Sequence, residues 1–595
     1  MAATEKNHFD TALDQTHTNQ FGCMRLSKNP CKIGYLLVLM NYRPAAVERF
    51  LLWAHQKHGD VIQYHWKSNI ISVGNYELAT LLLRHPNFQR KGTFTETVTI
   101  LNPFSLVSIS GPDWTRAHWL MVRAMGRLSV PNMCSIVTES VHKLTCSSVS
   151  SLDCPVDLYD FAKKATLDSM ISEIFGVGVD EGERRIIHSG IDAIIGELQG
   201  LTQASSHFRV NRQRLDALVD AKLQAEYLLV ATNSAHFLSD SVSLSATFPP
   251  HHASSATSDV LHVNAGCAFL RELVEHNASN SRSPTKASQT PFSLIQLRDL
   301  VINVLLFMGT INPAEACVHA LIEIFRSKWS ISQRDLWIET ETLIGNDDSH
   351  DRDAGFTRIL RESLRLFPPV AGLSFNRRAT ADTVIDGWSF KKDVRLIFFF
   401  PSQNLTFCLQ DNIICSPYVF HLSPKIWDEP QVFRPARFLQ LSSIQSASFM
   451  PFSVGARSCP GVKIGSSVAV ALLKTMLEQM DVFVPQSYVH KRSLRGGVRF
   501  YVRKSSEQSH AGSRDTAIFV RQARLQFGFA HKIWYQLRDL SVNIELACSQ
   551  LLPKWLVVSF EHQSKLLGLL ILGIQTFFSI VLLRMFASLI LQSAS

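Results

Sequence analysis

Paired cysteines are missing from the chain: none of its eleven cysteines forms a CxxC pair or shares a paired spacing with another. That excludes the common zinc modules and a secreted disulfide framework, and it favours a reducing, cytosol-facing setting. Charge is also sparse. Only 18% of residues are Asp, Glu, Lys or Arg, and the formal net charge of +9 is not concentrated in any long basic block. Nucleic-acid binding is therefore not indicated. A membrane surface or an acidic redox partner suits the basic excess better. No secretory leader is expected either, because "IGYLLVLM" (33–40) is too short an apolar run and lacks a small-residue cleavage site.

What is present is apolar bulk. With 595 residues, 46% of them hydrophobic, the chain can hold one large domain with appendages or three to four ordinary ones. Residues 1–33 are polar and are expected to be disordered. From 50 to 66 helical periodicity gives way to alternation, and "NIISVGN" (69–75) reads as a strand and turn, so a small sheet is expected near the start of the folded part. Helical patterns dominate from 113 to 203. Residues 233–262, rich in Ser, Pro and His, read as a loop or insertion, and a second polar stretch covers 276–290. Near the end, "LLGLLILGIQTFFSIVLL" (566–583) is flanked by Lys565 and Arg584 and stays apolar to Leu591. That length suits a membrane-spanning helix, with a buried core helix as the alternative, and 504–565 is a tail of unassigned structure.

The longest helical pattern starts after Ser293, a candidate N-cap, and runs from 294 to 327, apolar nearly all round. It should cross the protein core. Gly309 and Pro313 interrupt it in "MGTINPA". A proline there removes a hydrogen bond and clashes with the carbonyl four residues back, so the helix is expected to open near Gly309 and offer a seat for a small ligand.

Three motifs follow in order. "RESLRLFPPV" (361–370) places Glu362 and Arg365 on one helical face, either as a surface ion pair or as a buried pair that needs further partners. "FRPARF" (433–438) supplies one such partner in Arg437. "PFSVGARSCPG" (451–461) holds Cys459 in a loop shaped by glycine and proline. A thiolate is a strong iron ligand, whereas a cysteine taken at random is more often a small buried hydrophobe.

In this order the motifs resemble those of the cytochrome P450 family of haem-thiolate proteins. Glu362 and Arg365 match its ExxR, "FRPARF" its FxPxRF, and "FSVGARSCPG" (452–461) its FxxGxRxCxG at every fixed position. The resemblance covers residues 34–503 and implies a mainly α fold with a small β subdomain. It makes Cys459 the axial thiolate of a haem b iron. Gly455 and Gly461 would let the backbone approach the haem and donate N–H groups that tune the sulfur, and Phe452 would shield it from water. Arg457 matches the family's propionate contact. Trp114 and His118 fall where the family often has WxxxR, so His118 replaces the usual arginine, with a satisfied helix-face histidine as the alternative. Arg378 is a further propionate candidate, with Arg377 left open beside it.

The oxygen groove departs from the common pattern, because the usual acid and threonine read Ile311 and Asn312. Gly309 and Asn312 are the groove candidates, Asn312 as a donor and acceptor for an ordered water. "GTINPA" resembles the branch containing steroid 7α-hydroxylases and prostacyclin synthase, and the style of the motifs is fungal, which implies a place in secondary metabolism. Residues 395–412 replace a short turn of the family and are expected to be untranslated sequence. The amino terminus looks truncated.

The resemblance implies a monooxygenase that hydroxylates or epoxidises a lipophilic terpenoid, steroid or polyketide. Its electrons would come from NADPH-cytochrome P450 reductase, at the endoplasmic reticulum membrane with the catalytic domain facing the cytosol. Substrate contacts are expected from 97–110, 307–312 and 370–375, all apolar. The rivals are a haem-thiolate isomerase or dehydratase acting on a peroxide, and an inactive membrane-attached relic.

Overall fold

The computed structural model of the chain describes residues 31–33, 47–66, 68–90, 98–148, 155–176, 178–198, 206–240, 268–279, 290–328, 334–345, 353–369, 376–390, 412–484 and 498–504, with Lys392, Tyr488 and Leu494. The strands are Cys31–Lys32 (β1), Val61–Trp66 (β2), Ser68–Val73 (β3), Phe88–Gln89 (β4), Val156–Asp157 (β5), Asn376–Ala379 (β6), Thr383–Ile385 (β7), Trp388–Phe390 (β8), Asn412–Cys415 (β9), Met480–Phe483 (β10) and Arg499–Lys504 (β11). They form a six-stranded sheet in the order β1-β2-β3-β9-β6-β4, a three-stranded sheet β10-β11-β5, and the hairpin β7-β8. The hairpin turns through Asp386 and Gly387, both at positive φ (49° and 77°). Asp-Gly suits a two-residue turn because it tolerates that backbone. Across the larger sheet, β2 and β3 pair antiparallel, and β9 lies parallel to β3 with Ile70 beside Asn412.

The rest is mainly helical, in agreement with the expected fold class. The helices that position the site are Val47–His58 (α1), Tyr76–Arg84 (α2), Gly111–Met125 (α3), Leu158–Phe175 (α4), Ser206–Asp240 (α5), Leu294–Leu306 (α6), Asn312–Lys328 (α7), Ala354–Leu366 (α8) and Val462–Gln479 (α9). The principal core gathers around α6 and α7, where Leu297, Leu300, Val301, Leu305, Ile311, Val318 and Leu321 are all fully buried. Ser293 caps α6 as expected. Its hydroxyl accepts the Gln296 N–H, and the Gln296 side chain accepts the Ser293 N–H in return, a reciprocal arrangement that satisfies two donors at a helix start.

Between α6 and α7 the helix widens but does not break. Phe307–Ile311 is a π turn, closed by the Asn312 N–H donating to the Phe307 carbonyl five residues back. Pro313 has no N–H to give to Gly309, and the wider turn accommodates its ring at that point. The 35-residue span Leu294–Lys328 is the one helix among the described residues long and apolar enough to cross a membrane, yet 67% of its most apolar stretch is buried inside the fold. It is the core helix that its all-round apolarity predicted.

The expected loop at 233–262 needs correcting at its start, because α5 continues to Asp240. Extending a helix already formed fixes one residue per added hydrogen bond, so polar residues can follow where they would not nucleate one. Residues 241–262, the stretch 395–411 and everything after 504 lie outside the described residues, including the apolar run at 566–591. Asn412 is the described end of the expected excursion, and it opens β9.

Candidate active site

Cys459 sits at the end of a tightly folded loop, two residues before Gly461 caps α9. The loop is closed by the Cys459 N–H donating to the Phe452 carbonyl at 2.9 Å and the Ser458 N–H to the Gly455 carbonyl at 3.0 Å. Gly455 has φ +81°, and a Cβ there would lie 3.0 Å from the Leu83 carbonyl of α2. Its freedom serves the turn and a close approach to α2, so the expected approach to a cofactor falls to Gly461. A Cβ on Gly461 would meet Met308 Sδ at 2.8 Å and Cys459 Sγ at 3.9 Å, which places this glycine where α9 passes the central helix beside the sulfur. Burial pushes the Cys459 thiol up, while the Gly461 N–H and the charge of Arg90 pull it back down. A helix N-terminus favours a thiolate in the same direction.

The sulfur opens onto a cavity of about 230 Å³, lined on its central-helix side by Asn303, Val304, Phe307, Met308, Asn312 and Ala316. Phe452, Trp114, His118 and Arg457 line it as the sequence reading expected, and so does Arg90, for which no motif gave a sign. Arg457 donates to the carbonyls of Leu106 (3.3 Å) and Ile109 (3.0 Å) and to Ser110 Oγ (3.3 Å). Its guanidinium lies 4.0 Å from the centre of the Trp114 ring, and that ring stacks on His118 at 4.7 Å. Leu106 and Val107 are the part of 97–110 that reaches the wall. Residues 370–375 lie outside the described residues.

The third arginine of the wall is Arg377. Arg378 is not among the lining residues, so the preferred candidate gives way to its neighbour. The physical reason is the strand: successive side chains on β6 point to opposite faces, and only one of the pair can face the cavity. Burial, with repulsion from Arg377, lowers Arg90 to about 10. Burial, with repulsion from Arg90 and Arg377, lowers Arg457 to about 9, and burial lowers Arg377 too. His118 is lowered by burial and by Arg457, so it offers a neutral imidazole rather than a replacement cation. Among the described residues no carboxylate lines the cavity. Arg377 is buried and Arg90 and Arg457 are half-buried, and three such cations repelling one another beside an apolar space make a site for an anionic ligand.

On the central helix, Asn312 faces the cavity, and its buried Oδ1 has no hydrogen-bond partner among the described residues. Gly309 does not face it. A Cβ there would meet Met170 Cγ at 2.9 Å, so this glycine allows close packing against α4 and has no place in the groove. Thr310 is likewise turned away, its hydroxyl donating back to the Leu306 carbonyl. Sequence reasoning also missed Asn303, a polar residue inside the run "LVINVLL". That polarity in an apolar run was the available signal.

The pair Glu362 and Arg365 is fully buried, which decides against a surface ion pair. Arg365 Nε and Nη2 each donate to Glu362 at 2.8 Å, and Arg437 Nε donates to the same carboxylate at 2.9 Å. The remaining Arg365 hydrogens go to the carbonyls of His421 (2.8 Å), Pro430 (2.6 Å) and Val432 (3.3 Å). The network thus clamps α8 to the segment 421–437 that leads into the cysteine loop. It lies apart from the cavity lining and holds the frame of the site.

Comparisons with known proteins agree with this geometry. The family model for cytochrome P450 matches residues 356–506. Cytochrome P450 4A10 of Mus musculus is 34% identical over 157 residues, 25% of this chain and 27% of that protein. Taxane 10-beta-hydroxylase of Taxus cuspidata is 28% identical over 129 residues, 22% of each chain. The chain thus spans about a quarter of the length of the curated relatives it matches. Among solved structures, the heme domain of cytochrome P450DA superposes with a TM-score of 0.55 at 16% identity, covering 81% of this chain and 99% of that one. Retinoic-acid-bound cyanobacterial CYP120A1 gives 0.54 at 15%, covering 80% and 100%.

The residues fit the cofactor of that family, a haem whose iron takes a cysteine thiolate. Cys459 borders the cavity, the mutually repelling Arg90, Arg377 and Arg457 suit two propionates, and the remaining lining suits an apolar macrocycle. Residues 356–506 accordingly match the cytochrome P450 family model, and the chain that carries them has the cytochrome P450 fold.

Proposed function

We propose that the chain is a haem-thiolate monooxygenase that oxidises a lipophilic small molecule, with Cys459 as the axial ligand. The single observation that carries this reading is the cavity whose wall, among the described residues, holds the Cys459 sulfur together with three arginines and no carboxylate. Haem bound there supplies reductive activation of dioxygen, so that one oxygen atom enters the substrate and the other leaves as water. The protein's part is to hold and to exclude. Arg90, Arg377 and Arg457 would hold the propionates, with Trp114 and His118 stacked behind Arg457. Phe452 and the Gly461 N–H would keep the thiolate dry and its charge delocalised. Asn312 Oδ1, without a partner among the described residues, accepts a hydrogen bond from a water where the family more often has a threonine. Two electrons per turnover come from an NADPH-dependent flavoprotein reductase in this reading. The apolar lining fits a terpenoid, steroid or polyketide, in secondary metabolism of a fungal type. The run at 566–591 attaches the protein to the endoplasmic reticulum membrane, with the catalytic part in the cytosol.

A second reading is favoured by Ile311, which stands where the family usually has an acid. Without an acid among the described residues of the cavity lining, a haem-thiolate enzyme can rearrange a peroxide substrate, which needs no delivered protons. Two measurements decide. The dithionite-reduced, carbon-monoxide-bound protein should show the red-shifted Soret band of thiolate ligation, and Cys459→His should move it to the neutral-ligand position. Turnover should then require NADPH and a reductase. Turnover of a lipid peroxide without either would establish the second reading, and absence of the band in the wild-type protein would overturn both.

A further inference from the structure

Asn303 lies nine residues before Asn312 on the central helix, and both line the cavity. Its side chain is fixed. Ser105 donates its hydroxyl hydrogen to Asn303 Oδ1, and the Ser105 oxygen in turn accepts the Val107 N–H at 3.1 Å. The loop carrying Ser105 is itself pinned one turn earlier on the helix, where Asn102 Nδ2 donates to the Asp299 carbonyl at 2.9 Å and the Phe104 N–H to Asp299 Oδ2 at 3.0 Å. With Oδ1 engaged, the amide presents Nδ2 and its two hydrogens as the polar feature of this end of the cavity. Among the described residues Nδ2 has no partner. Val304, Leu106 and Val107 beside it are apolar.

We infer that Asn303 determines specificity by donating to a neutral oxygen acceptor on an otherwise apolar substrate. This rests on the monooxygenase reading above. The acceptor is neutral because the cavity's arginines are taken by the cofactor's carboxylates in that reading, and the Asp299 carboxylate one turn away is already paired with Arg212 at 3.4 Å and Arg298 at 3.9 Å. At 1.5 Å per residue, nine residues separate Asn303 from Asn312 by about 13 Å along the axis. The substrate class is therefore a rigid, elongated skeleton that carries a carbonyl at one end and is oxidised toward the other.

The test compares two probes, 5α-androstan-3-one and its parent hydrocarbon 5α-androstane, by equilibrium dialysis against the haem-loaded protein. One neutral hydrogen bond should favour the ketone about tenfold. Asn303→Leu should remove that preference by weakening ketone binding about tenfold while leaving the hydrocarbon within about twofold. Ser105→Ala should free the amide to turn Oδ1 inward, so that 5α-androstan-3α-ol gains on the ketone; this variant keeps the test open if Asn303→Leu fails to fold. A ketone preference that survives Asn303→Leu, equal weakening of both probes, or no binding of either probe to the wild-type protein overturns the inference. The carbon-monoxide spectrum of the same samples separates the two levels. A thiolate band without ketone preference sinks the inference alone, and loss of the band sinks the reading beneath it.

Discussion

At Glu362 one carboxylate is fully buried against two guanidinium groups, and removing a partner leaves charge with nowhere to go. Arg365→Leu should destabilise the fold by about 3–5 kcal/mol, read as a lowered urea midpoint, because it also strips donors from three carbonyls. Arg437→Leu should cost less, since Glu362 keeps Arg365. Acid attacks a different pair. Burial, and then Arg365, hold His421 down to about 3, and burial holds His55 down to about 4. His421 accepts the Met450 N–H at Nε2, which its protonated form cannot do. The unfolded chain takes up these protons near pH 6.5 and the folded one does not, so their contribution is present above pH 6.5 and is lost as pH falls toward 4 and 3. Urea midpoints across that window should fall, and His421→Gln should flatten the fall. The same scale shows why Arg377 could not be chosen from the sequence. All four residues of β6 are buried, so "NRRA" has no polar and apolar alternation to reveal which arginine faces inward.

Among helices and loops, two glycines make opposite demands. Gly461 belongs to the cysteine motif, yet a Cβ there crowds the flexible end of Met308 and touches Cys459 Sγ only at an ordinary 3.9 Å, and a thioether chain can move aside. Gly355 belongs to no motif, but its Cβ would overlap the Leu343 carbonyl, with the carbonyl carbon at 2.9 Å. Backbone cannot move aside so cheaply. Alanine gains roughly 0.5–1 kcal/mol of helix propensity over glycine, but overpacking costs about 1–3, so Gly355→Ala should be net destabilising. Gly461→Ala should stay within about 1 kcal/mol by thermal denaturation. The elements themselves were legible where a short-range signal existed. Ser293 with Gln296 marked the start of α6, Pro313 marked the widened turn, and the contiguous loop 452–461 marked the thiolate site. The parallel register of β3 with β9 had no such signal, because it joins residues more than 300 positions apart. Gly309 misled for a related reason: its neighbour is Met170 on α4, and packing partners are not written beside a residue in the chain.

For the molecule as a whole, the cofactor site couples ligand to stability through charge. Arg90, Arg377 and Arg457 reach one cavity from three distant parts of the chain, which is why only Arg457, inside a motif, was assigned to it from sequence alone. Without an anion these cations oppose one another, a repulsion that adds to burial in lowering Arg90 and Arg457. With two propionates in place the same charges attract the ligand. A single substitution should then act with opposite signs in the two states. Arg90→Gln removes one source of repulsion, so the haem-free protein should become more stable, on the order of 1 kcal/mol at an effective dielectric near 20. The haem-loaded protein should become less stable and release haem faster. Paired urea titrations of haem-free and haem-loaded samples, with haem transfer to an excess of apomyoglobin, measure both. A loss of stability in both states would mean that Arg90 is a structural cation whose charge is balanced without the cofactor, and the anionic-ligand reading of the wall would fall with it.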